Sequence, residues 1–211
     1  MNHIQAAYEA ILKGDRDALM ASVESGLNEG LASEEILNQG LIAAMTDVGD
    51  RFERGELYVP EMLVAARAMQ SGLKLLKPHL IESGVKSAAR VVIGTVQGDL
   101  HDIGKNLVAM MLEGAGFEVT DLGNDIKPEM FADAAREHKA DIIGVSALLT
   151  TTMSNMQAVV EALEDIGLRE KVKVMVGGAP VTQEFADQIG ADGFAPDASA
   201  ATRLAKAMLE S

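Results

Sequence analysis

The stretch GTVQGDLHDIGKNLV, Gly94–Val108, carries one of the four histidines in a chain of 211 residues. Asp99 lies two residues before His101, Asp102 follows it, and Gly104 closes an Asp-x-His-x-x-Gly pattern. A neutral imidazole can ligate a metal through one nitrogen and give its other N–H to a carboxylate. In extended backbone, residues two apart point the same way, so Asp99 can serve His101 in this manner. One protein ligand is too few to hold a bare ion. It is enough for a metal that arrives in a macrocycle filling its other positions. Three other assignments compete. A phosphate loop fails on spacing: five residues, not four, separate Gly98 from Gly104, and Asn106 rather than Ser or Thr follows Lys105. A His-Asp metal phosphohydrolase needs further ligands, and His3, His79 and His138 offer no supporting spacing. A capped turn, with Asp102 as N-cap of the next helix, fits but leaves Asp99 and His101 unexplained. Spacing alone leaves the capped turn standing beside the ligand assignment.

The elements around this loop follow from periodicity. Apolar runs at Val91–Val96, Phe117–Leu122, Ile142–Leu148, Val172–Val176 and Asp192–Ala195 read as strands. Helical patterns fit between and after them, at about 103–115, 128–138, 153–166, 182–189 and 198–210. This alternation indicates a five-stranded parallel sheet covered on both faces, an α/β fold of the flavodoxin-like, Rossmann-type class with strand order 2-1-3-4-5. Ligands of such sheets sit at the carboxyl ends of the strands, where the order reverses. The loops Gly98–Gly104 and Ser146–Thr152 should flank that crevice, with Gly177 and Gly178 on the same rim.

Residues 1 to 82 read as a four-helix bundle. Ile4, Ala7, Tyr8, Ile11 and Leu12 form one stripe, continued by Leu19, Val23 and Leu27. Ser33 is the expected N-cap of a helix carrying Ile36, Leu37, Leu41, Ala44, Met45 and Val48. Pro60 opens another with Met62, Ala65, Ala66, Met69, Leu73 and Leu76, and Pro78 helps end it. Residues 83–89 form the linker to a second domain at 90–211.

Composition narrows the function. Apolar residues make up 48% of the chain, so it can bury a core. A net charge of -14 argues against a nucleic-acid partner. The absence of cysteine excludes disulfides, thiolate metal sites and cysteine nucleophiles. No apolar stretch is long enough to span a membrane, and the start MNHIQAAYEAILKGD lacks a signal-peptide pattern. The expected location is cytoplasmic.

Taken with VSALLTTTM, VGGAPVT and GADGFAPDA, the segment GDLHDIGKNLV resembles the corrinoid proteins of methyltransferase systems. It is also similar to the cobalamin-binding module of cobalamin-dependent methionine synthase. The resemblance covers nearly the whole chain and implies a helical cap followed by a flavodoxin-like domain. It implies cobalamin or a related corrinoid bound with its own base off the cobalt and His101 on it, cycling between methyl-Co(III) and Co(I). His101 would be the metal ligand and Asp99 its partner. Thr152 stands where a serine usually completes the relay. Gly98, Asp102, Ile103 and Gly104 would belong to the same binding loop. Ser146, Leu148 and Thr150 would line the cleft for the cofactor's tail, Gly177 and Gly178 its floor, and Ala191, Asp192 and Gly193 its nucleotide end. Phe52 and Val59, in VGDRFERGELYVPEM, match positions that shield the methyl group, whereas Met62 and Met69 read as core.

The implied role is a methyl-carrier subunit rather than a stand-alone enzyme. It would take a methyl group from a substrate-specific methyltransferase acting on a methylamine, methanol, a betaine or an aromatic methyl ether. It would deliver that group to an acceptor methyltransferase using tetrahydrofolate or a thiol. A reductive activase would be a third partner, and the cap would swing aside through Ser83–Ala89. Two other roles share the motif: a cobalamin-binding sensor, disfavoured by acidity, and the small subunit of an adenosylcobalamin mutase, which normally lacks the cap.

Overall fold

The structure, a computed structural model, describes residues 2–83 and 89–210. The chain forms two compact units, Met1–Ser87 with Glu113–Gly116, and Ala88–Leu112 with Phe117–Ser211. Of the expected linker at 83–89, residues 84–88 lie outside the described residues.

The first unit is helical: α1 His3–Leu12, α2 Arg16–Asn28, α3 Ser33–Glu35, a π-helical segment Ile36–Ile42, α4 Ala43–Glu53 and α5 Val59–Glu82. The segment from Ser33 to Glu53 is one continuous helical run, so four helices pack together. Asn2 and Asp15 cap α1 and α2 through their side chains, each accepting from main-chain N–H groups of the first turn. The apolar stripes face inward, with Ile11, Leu19, Val23, Ile36, Leu41, Val48 and Leu76 buried. Met62 and Met69 are core, as their spacing indicated. Tyr8 donates to Asp47 at 2.9 Å, and Arg51 holds the same carboxylate at 2.8 and 3.0 Å, tying α1 to α4 just before Phe52.

Two local expectations are corrected, and one feature is new. Ser33 is the first residue of its helix, not the cap; Ala32 occupies the cap position, and the Ser33 hydroxyl meets that of Ser83 at 3.2 Å. Pro78 lies inside α5, which runs four residues further to Glu82. Near a helix end, proline's missing N–H removes one bond without halting the last turn. The π-helical segment was not foreseen; there the Ala43 N–H bonds back to the Asn38 carbonyl. The apolar positions 36, 37, 41, 44, 45 and 48 fit either winding, so their spacing carries no sign of it.

The second unit contains a five-stranded sheet, all parallel, in the order β2-β1-β3-β4-β5. Its strands are β1 Arg90–Thr95, β2 Glu118–Asp121, β3 Ile142–Ser146, β4 Lys173–Gly177 and β5 Gly193–Ala195. The helices are α6 Ile103–Gly114, α7 Pro128–His138, α8 Ser154–Asp165, α9 Gln183–Gln188 and α10 Ala198–Glu210. β1 and β3 are buried along nearly their whole length, which requires helices on both faces. Register places Thr95, Ser146, Gly177 and Ala195 on one rung across the carboxyl ends of four strands. The chain reverses its order of strand addition between β1 and β3, so the loops leaving them flank the same crevice. Among the described residues, no helix is long and apolar enough to cross a membrane.

Candidate functional site

Between Thr95 and Ile103 the chain crosses the rim of the sheet, and Asp99 turns inward there. Its side chain is fully buried, while that of His101 is 52% exposed. Oδ1 of Asp99 accepts from the His101 main-chain N–H at 3.1 Å and lies 2.7 Å from Nδ1 of the same residue. Oδ2 accepts from the N–H groups of Leu148 at 2.8 Å and Leu149 at 3.2 Å. The Thr152 hydroxyl lies 2.9 Å from Oδ2 and equally far from the Leu149 carbonyl. Burial pushes the Asp99 carboxyl up. The Leu148 N–H, the His101 ring and N–H, and the Thr152 hydroxyl outweigh it and hold the group well below the usual carboxylate range. A carboxylate only accepts, so the proton of the short bond sits on His101 Nδ1. In the neutral ring the lone pair is then on Nε2, which has no hydrogen bond among the described residues. That tautomer is able to ligate a metal through Nε2.

The surroundings of Nε2 suit a large flat ligand. Leu100, Ile103, Leu148 and Leu149 are 70, 79, 42 and 41% exposed, and all belong to the two segments that meet at Asp99. Four exposed apolar side chains on the segments that carry His101 and hold Asp99 are of the kind that marks a ligand-binding surface. Among the described residues, no group of three or more His, Asp or Glu could hold a bare ion. The donor set therefore fits a metal that arrives already held by other ligands, which His101 would hold through Nε2.

The other expected residues divide into three groups. Gly98, at φ +82°, gives its N–H to Asp125, and Asp102 accepts the Asn106 N–H through its carbonyl at 2.8 Å as α6 begins. A Cβ at Gly104 would meet nothing within 4 Å. Ser146 and Gly177 share the rung at the strand ends, and Thr150 is exposed in the loop after β3. Gly178 lies against the carbonyl of Ala147, so β4 and the loop after β3 meet backbone to backbone. Ala191, Asp192 and Gly193 are not with them. They lead into β5 at the amino edge of the sheet, where Asp192 accepts from Val174 N–H at 2.7 Å and pairs with Arg169 at 2.9 Å. Phe52 and Val59 flank the turn between α4 and α5 in the helical unit, Phe52 half-buried and Val59 38% exposed.

Several residues of the site escaped sequence reasoning. Thr95, fully buried, donates its hydroxyl to the His101 carbonyl at 2.9 Å. Asn155 donates to the Gln97 carbonyl at 2.7 Å, and Asn124 to that of Leu100 at 3.2 Å. Asp125 accepts the Gly98 N–H at 2.7 Å. Lys105 is buried and pairs with Asp121 at the end of β2. The available signal was GNDIKP after β2, an Asn-Asp turn of the kind that hosts left-handed backbone.

The family described as B12 binding domain matches residues 89–205, and a second family of the same description matches residues 4–77. A dimethylamine corrinoid protein of Methanosarcina barkeri is 47% identical over 207 residues, spanning 98% of this chain and 97% of that protein. A cobalamin-binding protein from Desulfitobacterium hafniense DCB-2 superposes with a TM-score of 0.80 at 33% identity, over 97% of this chain and 98% of that one. The methanol:cobalamin methyltransferase complex of Methanosarcina barkeri contains a chain matching at a TM-score of 0.88 and 28% identity, over 99% of this chain and 80% of that one. With both halves matched and near-full-length identity at this level, the chain belongs to the B12-binding-domain family of corrinoid proteins.

Proposed function

We propose that the protein is a corrinoid methyl carrier of a methyltransferase system, in which His101 would hold the corrinoid cobalt. The observation that carries this reading is the 2.7 Å bond from His101 Nδ1 to a buried carboxylate, which leaves Nε2 free on an apolar face. When bound, the corrinoid supplies a cobalt centre able to accept a methyl group and pass it on. The chain's own residues hold, orient and regulate. Asp99 fixes the tautomer and ring angle of His101, so that Nε2 would be the atom holding the metal. Thr152, Leu148 and Leu149 keep Asp99 charged. Leu100, Ile103 and Leu149 would rest against the corrinoid's apolar surface, and Ser146, Leu148, Thr150, Gly177 and Gly178 would take its tail.

The donor class is a methylamine. The 47% relative is named for dimethylamine, whereas the methanol system's chain stands at 28%. The partners are a methylamine-specific methyltransferase, an acceptor methyltransferase and a reductive activase. The test is methylation of the reduced, corrinoid-loaded protein by purified donor methyltransferases supplied with mono-, di- or trimethylamine or methanol. Methylation from an amine is expected. Methylation from methanol alone overturns the donor class, and none from any donor overturns the carrier role.

Gly104 gives a simpler check on the ring's position. It is the second residue of α6, where alanine should leave the empty protein as stable or raise it by up to about 1 kcal/mol. A methyl group there would press on a bound corrinoid, and the cost of overpacking corresponds to roughly tenfold in affinity. Denaturant unfolding of the empty Gly104→Ala protein and a cobalamin titration measure the two effects separately.

A further inference from the structure

We propose that Asp125, supported by Asn124, is a positioning residue for His101, holding the loop before the imidazole through the turn after β2. The inference rests on the reading that His101 ligates the corrinoid.

Three bonds from these two residues grip the chain immediately ahead of His101. The Gly98 N–H donates to Asp125 Oδ1 at 2.7 Å, the Asp125 N–H donates to the Asp99 carbonyl at 3.0 Å, and Asn124 Nδ2 donates to the Leu100 carbonyl at 3.2 Å. Asp125 thus fixes the main chain of Asp99, the residue whose side chain orients the imidazole. It does so at φ +56°, a conformation that costs a non-glycine residue. Glycine would relieve the strain but has no Oδ1. Asparagine can keep both the conformation and the acceptor. The residue type therefore answers to the bond to Gly98 rather than to the turn.

The turn is itself anchored. The Thr95 N–H donates to the Gly123 carbonyl at 3.0 Å, and the Ile126 N–H donates to the Thr95 carbonyl at 3.0 Å. The Gly123 N–H donates to Asp121 Oδ1 at 2.8 Å, and Val96 bridges to Ile126. These bonds extend the β1–β2 ladder past its end, so the turn cannot shift without breaking them. On the far side of His101, buried Lys105 pairs with Asp121, the last residue of β2. The end of β2 consequently holds the chain on both flanks of the ligand. A ligand held within hydrogen-bonding reach of its orienting carboxylate tolerates displacements of only about 0.5 Å.

The test uses cob(II)alamin bound to ¹⁵N-labelled full-length protein, read by electron paramagnetic resonance. Splitting from a ¹⁵N nucleus reports protein imidazole on cobalt, and splitting from ¹⁴N reports the cofactor's own base. Wild type should show ¹⁵N splitting that His101→Ala abolishes. Asp125→Ala should lose most of the ¹⁵N-split signal and bind cob(II)alamin about tenfold more weakly, the lower range for an outer-shell partner. Asp125→Asn should restore both. Asp125→Gly should behave like the alanine variant in ligation although its empty form unfolds at a higher temperature than the alanine form. Full ¹⁵N splitting and wild-type affinity in Asp125→Ala, or restored ligation in Asp125→Gly, overturns the inference alone. Absence of ¹⁵N splitting in wild type overturns the ligation reading and this inference with it.

Discussion

Asp99→Asn should bind the corrinoid about 10–100-fold more weakly than wild type, as expected for loss of a ligand's orienting partner. The reason lies in the five donors that converge on this one side chain. An amide has one accepting end. If its NH2 replaces Oδ2, it faces the N–H groups of Leu148 and Leu149, donor against donor. If it replaces Oδ1, it faces the His101 N–H and forces Nδ1 to accept, which moves the ring proton to Nε2 and blocks ligation. Both arrangements cost, and neither preserves the ligating tautomer in a relaxed site. Titration with cobalamin and the visible spectrum of the bound form check this; a variant matching wild type in both would remove Asp99 from the account. The same substitution has a pH signature. Folding lowers the Asp99 pKa, so the folded state binds fewer protons than the unfolded state. The stability from this group is complete above the ordinary aspartate pKa of about 3.9 and is lost as pH falls through the folded value. Asparagine does not titrate. The stability gap between wild type and Asp99→Asn in the empty protein should be widest near neutral pH and shrink below about pH 4, measured by denaturant unfolding.

What could be read beforehand depended on whether the signal was local. Val91–Val96 reads as a strand because a parallel strand buried on both faces is a bare apolar run, and the observed β1 is Arg90–Thr95. The Asp99–His101 pair was legible because the two side chains lie two residues apart in one loop. Thr152 is 53 residues from Asp99 and came only through the family resemblance. Asn124 and Asp125 had neither advantage. Their partners lie 24 and 27 residues away, and an Asn-Asp pair after a strand announces a turn without saying what it grips. Ile103 and Leu148 came only through the family resemblance, and the exposed Leu100 and Leu149 were illegible, since in sequence they look like any core residues.

Gly178→Ala is expected to be the most damaging small substitution in the sheet unit. An alanine Cβ there would lie 1.8 Å from the Ala147 carbonyl oxygen and 2.9 Å from its carbon, and the residue's φ is +132°. Neither obstacle can be relieved by rotating a side chain, because both are backbone. Backbone strain and overpacking each cost about 1–3 kcal/mol, so the empty protein should lose roughly 2–6 kcal/mol. Gly177→Ala is the control: its Cβ would approach the Ala195 carbonyl at 3.0 Å, without a positive φ, and should cost clearly less. Denaturant unfolding of the two empty variants checks the order, and a Gly178→Ala protein as stable as the control would mean that the backbones do not meet as described. The damage should also reach the ligand. Ala147 directly precedes Leu148, whose N–H holds Asp99 Oδ2 at 2.8 Å, and the Ala147 N–H bonds to the Gly177 carbonyl at 3.2 Å. Pushing Ala147 away from β4 therefore draws a donor off Asp99. Whatever folded Gly178→Ala protein remains should bind corrinoid more weakly than Gly177→Ala does, through the carboxylate that orients His101.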